Sequence, residues 1–142
     1  MALPQRTTLS RRVSHFRCEP GLQMEFFKLL KLDLSVRDER TCESVLMFDE
    51  MHTSQSIEYC PTFKRLLPAY KKVQVALIRG LIHPWKQIIY YDFDTTMNKS
   101  LLDSIINLCE LSNAKVRGIV CDMGNHTLLK ELGVYKEKKM FL

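Results

Sequence analysis

Two short apolar runs in this sequence each stop at an aspartate: Asp49 follows Val45-Leu46-Met47-Phe48, and Asp122 follows Gly118-Ile119-Val120-Cys121. In α/β sheets ligands gather at the carboxyl ends of strands, so two carboxylates converge if these runs are neighbouring strands. Paired carboxylates in oxygen-only surroundings suit Mg²⁺ or Mn²⁺, and a two-metal site holding attacking and leaving oxygens is a common way to run phosphoryl transfer in nucleases and polymerases. The competing reading makes each aspartate a turn former or helix cap after a strand. Glu50 does not join Asp49 in one site, because successive strand side chains point to opposite faces; it faces away or pairs with a basic residue. Asp92 and Asp94 form a rival pair at the end of a third run, where the following Thr95 and Thr96 make turn chemistry the better account.

Other residues carry weaker signals. Gly124 lets the backbone approach a neighbour, and Asn125 and His126 open a short helix whose free amides favour an anion. Met123 reads as core filling. Trp85 beside Lys86 offers a stacking surface for a base, with plain packing as the stronger reading. The five cysteines, Cys18, Cys42, Cys60, Cys109 and Cys121, include no Cys-x-x-Cys pair, and their odd number argues against a disulfide framework. Cys121 and His126 lack two further ligands at a usual spacing for structural zinc.

The elements that must position these residues follow from periodicity. A basic arm, residues 1–19, precedes one α/β unit, residues 20–142. The spacing of Leu22, Phe26, Leu29 and Leu30 predicts an amphipathic helix over 22–32, followed by an acidic and basic segment to Arg40. Cys42 to Met51 is a strand buried on both faces. Ser56 to Tyr59 is a short extension or hairpin partner, and the stretch bounded by Pro61 and Pro68 is a loop. Val73 to Ile82 and Trp85 to Phe93 are strands joined through His83-Pro84, antiparallel to each other. Ser100 to Leu111 is a helix with a capping-box spacing from Ser100 to Asp103. Lys115 to Asp122 is a further strand, and strand–helix–strand order implies a right-handed crossover with parallel pairing. Thr127 to Leu132 is a short helix stopped by Gly133.

Composition fits this reading. With 142 residues, 46% of them hydrophobic and 26% charged, the chain has the makeup of one packed domain. Its longest apolar runs, such as Val75 to Ile78, are far shorter than the ~20 residues of a membrane span. The first acid is Glu19, and the preceding Arg6, Arg11, Arg12 and Arg17 are accompanied by no secretory apolar run, which predicts an intracellular chain. An Arg-rich, acid-free start also has the composition of a mitochondrial targeting segment; the simpler reading is a frayed basic tail. A net charge of +5 hints at a polyanionic partner.

Six segments together resemble a known family: FDEM at Phe48 to Met51, EYCPTF at Glu58 to Phe63, RGL at Arg79 to Leu81, WKQ at Trp85 to Gln87, CDMGN at Cys121 to Asn125 and KELGV at Lys130 to Val134. In order and spacing they are similar to the P element type of DNA transposase, including the THAP-domain transposases, from about Pro20 onward. The resemblance implies an α/β fold: a partial RNase H-like domain with a mixed sheet of antiparallel first strands, a crossover helix and a parallel strand. It implies Asp49 and Asp122 as catalytic, metal-binding acids for Mg²⁺ or Mn²⁺, with DNA transposon ends as partner and the nucleus as location. The family's third acid, a glutamate, its inserted domain for guanosine nucleotide and its DNA-binding zinc module are not matched here, so these residues alone are expected to be inactive. The glycine-rich turn after Asp122 is also shorter than is usual in the family.

Two alternatives stay open. One is a domesticated, non-catalytic module that binds DNA or protein through an RNase H-like fold. The other is a small independent nuclease with Glu131 as third carboxylate. An uncovered sheet edge further predicts self-association.

Overall fold

The computed structural model describes residues 5–14, 17–122 and 126–133. A five-stranded mixed sheet forms its centre, in the order β1-β6-β5-β2-β7, from β1 (Gly21–Leu22), β2 (Glu43–His52), β5 (Lys72–Gly80), β6 (Lys86–Phe93) and β7 (Lys115–Cys121). Strands β2, β5 and β6 run antiparallel in turn, and β7 returns parallel to β2. The crossover between β6 and β7 is α4 (Lys99–Leu111). This is the mixed sheet that the strand pattern and the family resemblance both predict.

One face of the sheet is covered. Helix α2 (Met24–Ser35) buries Phe27, Leu30 and Leu34, and α4 buries Leu102, Ile105 and Cys109, each set at i, i+3 and i+7 along one helical stripe. They pack on Leu46 and Phe48 of β2, Ala76 and Ile78 of β5, and Ile89 and Tyr90 of β6. The chain enters this layer through Gln23, whose amide donates to the carbonyls of Glu19 at 2.6 Å and Gly21 at 3.0 Å.

Several boundaries differ from the sequence expectations for local reasons. Arg6–Val13 forms a helix, α1, instead of a frayed tail; it contains no glycine or proline, and Arg11 and Arg12 in its last turn complement the helix dipole. Helix α4 starts one residue before Ser100: Asn98 is extended and its side chain accepts from the Leu101 amide at 2.9 Å, so Asn98 is the cap and the Ser100–Asp103 box is not used. The acidic and basic segment contains a one-turn helix, α3 (Glu39–Cys42), capped by Asp38. The stretch between Pro61 and Pro68 is not all loop, because Arg65–Leu67 (β4) pairs with Glu58–Cys60 (β3) as a separate hairpin. Both prolines lie outside the paired residues, where no ladder donor is required. Helix α5 (His126–Glu131) ends, as expected, before Gly133 with φ of +73°.

Candidate active site

The geometry of the two aspartates depends on a single irregularity. Strand β7 pairs with β2 from Glu43↔Lys115 and Ser44↔Val116, then skips Arg117 and continues as Val45↔Gly118 through Phe48↔Cys121. An unbroken ladder would set Cys121 beside Asp49. The extra residue moves every later side chain of β7 to the other face. The last ladder pair is Phe48↔Cys121, so Asp122, one residue past the end of β7, follows on the side of Asp49, which lies inside β2 three residues before its end at His52. Neighbouring strands run ~4.8 Å apart.

Both residues line one open groove of 590 Å³, together with Met47, Met51, Val75, Leu77 and Val120 from the sheet face that no helix covers. Asp49 is exposed, and its Oδ1 accepts from the Glu50 amide at 2.8 Å. Its backbone carbonyl accepts from Nε2 of Gln74 at 3.0 Å, a contact made from the covered side, where Gln74 is fully buried. Glu50 points away, as alternation requires, and pairs with Lys72 at 3.0 Å; Lys72 also donates to Thr96. Cys121 shares the ladder position of Phe48, and burial, together with the charge of Asp122, pushes its thiol above the usual range. Cys121 also lines the groove, whose oxygen donors are the two carboxylates.

That set fits a hard divalent cation in kind. It does not fit in number, because among the described residues no three His, Cys, Asp or Glu side chains form a metal-holding group. Glu131 is exposed on α5 and does not line the groove. Asp94 is a turn residue, as expected: with φ of +49° it accepts from the amides of Lys71 and Lys72. Asp92 is not, because it lies within β6 paired with Gln74, and its carboxylate accepts from the Phe93 amide. Trp85 packs, its indole N–H donating to the Thr41 carbonyl at 2.8 Å. Met123, Gly124 and Asn125, where a shortened turn was expected, lie outside the described residues, as does the side chain of His126. The bulge at Arg117 had no sequence signal.

A family model described as TNP-like, RNase H N-terminal domain, matches residues 18–133. The chain belongs to this family. Within it, the chain is 33% identical over 141 residues to the Transposable element P transposase of Drosophila melanogaster, a match that spans 98% of this chain and 18% of that protein. Among solved structures, the Drosophila P element transposase strand transfer complex superposes with a TM-score of 0.76 at 32% identity, covering 93% of this chain and 30% of that one. The TNP-like RNase H N-terminal domain thus accounts for both the sheet and the placement of its strands. Among the described residues no helix is long and apolar enough to cross a membrane.

Proposed function

We propose that these residues form the first part of a DNA transposase catalytic domain, in which Asp49 and Asp122 are two of the acids that hold a divalent metal for strand cleavage and joining. The observation that carries this reading is the bulge at Arg117, which spends one residue of a strand to put both carboxylates on the same open face. Bound there, Mg²⁺ or Mn²⁺ would supply Lewis-acid stabilisation of the phosphoryl oxygens. The protein's own part is to fix the carboxylates: the ladder sets their faces, the Glu50 amide holds one oxygen of Asp49, and Gln74 holds its backbone. DNA transposon ends are the partner and the nucleus the location that this reading carries with it. By the family pattern a third acid, a guanosine nucleotide domain and a THAP-type zinc module belong to other parts of such a protein. With two of three acids, the 142 residues do not cleave DNA unaided. The outer edge of β7 is a place for contact between copies of the chain; a monodisperse monomer at high concentration would count against it.

Mn²⁺ titration followed by electron paramagnetic resonance tests the site. Asp49→Asn and Asp122→Asn should each weaken binding at least tenfold, and the double variant should do little more than either alone, since both serve one ion. Undiminished binding in the single variants would overturn the assignment. A domesticated, non-catalytic module is the second reading, and it predicts DNA binding that is unchanged by Asp49→Asn.

A further inference from the structure

The β3–β4 hairpin contributes nothing to the core. Tyr59 and Leu66 face each other across it, 59% and 67% exposed, and Ile57 just before it is 69% exposed. An isolated two-stranded hairpin is marginal in water, so something must hold it. Its stem is tied at four points. The Thr53 amide donates to the Lys71 carbonyl at 3.0 Å, and the Thr53 hydroxyl to the Tyr70 carbonyl. The Tyr70 ring stacks on Phe93 with centroids 4.2 Å apart, and Asp94 accepts from two successive amides, those of Lys71 and Lys72. The stem is fixed while the blade is left bare.

The blade rises from the end of the sheet that carries Asp49. It leaves the sheet between His52 and Lys72, a ladder pair only three residues beyond Asp49↔Val75. Residues 54–57 and 68–70 lead from the stem into the three pairs, which at ~3.4 Å each span ~10 Å before the turn. At that turn sit Lys64, held in the left-handed region with φ of +50°, and Arg65, whose guanidinium lies 5.4 Å from the Phe63 ring centroid. Lys64, Arg65 and the stem residue Lys71 have no carboxylate partner among the described residues, whereas Lys72, beside the sheet, does.

We infer that this hairpin is a DNA-backbone clamp: Lys64 and Arg65 at the tip, with Lys71 at the stem, contact phosphates of a duplex whose strand lies along the groove of Asp49 and Asp122. Charge decides the partner. Two carboxylates in the groove repel a phosphodiester, so a strand held there without metal needs cations near by, and the hairpin places three of them at that end of the sheet. The exposed Tyr59 and Leu66 supply apolar contact with the sugars. The inference rests on the DNA-processing reading above, but its test does not involve metal or cleavage.

Binding of the 142-residue chain to a short fluorescein-labelled duplex, followed by anisotropy in EDTA, reads the clamp directly. Lys64→Gln/Arg65→Gln should lose about tenfold in affinity and lower the salt slope by about 2, as for two released phosphate contacts. Lys31→Gln/Arg40→Gln, on α2 and α3 away from this end, removes the same charge and should change affinity less than twofold. Phe63→Ala, which frees the Arg65 side chain without altering charge, should cost a smaller loss with an unchanged slope. Equal losses in the two double variants, no loss in the hairpin variant, or no binding by the unaltered chain would each overturn the clamp. None of those results touches the Mn²⁺ measurement, so the two proposals fail separately. Melting curves of each variant verify that the fold persists.

Discussion

On β2 and β5 the residues turned toward the helices, Ser44, Leu46, Phe48, Gln74, Ala76 and Ile78, are all buried, while their neighbours Val45, Met47, Val73, Val75 and Leu77 are only partly covered and Met51 is exposed. The second set is as apolar as the first. A polar Gln74 is fully enclosed and an apolar Met51 is 58% exposed because burial here follows what lies over each face and not residue type. The covered face has given up access for packing. The open face keeps its carboxylates within reach of solvent, at the cost of apolar surface that contributes little to stability.

That contrast sets the order of expected effects. Leu46→Ala on the covered face should cost ~2–5 kcal/mol in a urea melt, whereas Met47→Ala next to it should cost less than ~1 kcal/mol; similar costs would erase the distinction between the faces. The covered face should also set the alkaline limit. Burial pushes the Cys109 thiol up to about 12, from 9.0, so the unfolded chain releases this proton first. Stability from this group is intact below pH 9 and is lost as the pH rises toward 12, by ~1.4 kcal/mol per unit at most. Cys109→Ala should flatten the pH dependence of the melting midpoint above pH 9, whatever it costs in packing at pH 7. Asn98→Ala removes the cap of the covering helix and should cost ~1 kcal/mol. Asp49→Asn, on the open face, should change stability by less than ~0.5 kcal/mol while removing cation binding, which separates the face that folds the chain from the one that works.

Much of the covered face was legible from sequence, because helical stripes such as Leu102, Ile105 and Cys109 and strand runs such as Val45 to Phe48 are local patterns. Asp49 lies within β2, which runs on to His52 through pairs with β5, so only Asp122 was legible as a strand end. That the two aspartates share a face was not: it depends on a bulge between strands 71 residues apart in Ser44 and Lys115, whose hydroxyl-to-carbonyl bond of 3.0 Å lies beside it. Pairing register is a non-local property that periodicity cannot report. The β3–β4 hairpin was half seen, because Tyr59 and Leu66 alternate too briefly to mark a strand until the two segments are paired. Glu50 and Asp94 were readable throughout, since one follows from alternation and the other from turn chemistry.

The bulge at Arg117 gives β7 a spare residue, and so an uneven tolerance of changes in length. Losing one residue from this strand is absorbed by flattening the bulge, and Asp122 still arrives opposite Asp49. Gaining one has no such outlet, and the added step turns Asp122 to the helices and leaves Cys121 next to Asp49. The same groove would then offer one carboxylate and one sulfur, a donor pair that selects softer ions such as Zn²⁺ over Mg²⁺. A deletion here keeps the two carboxylates together, whereas an insertion would rewrite the metal preference of the proposed site.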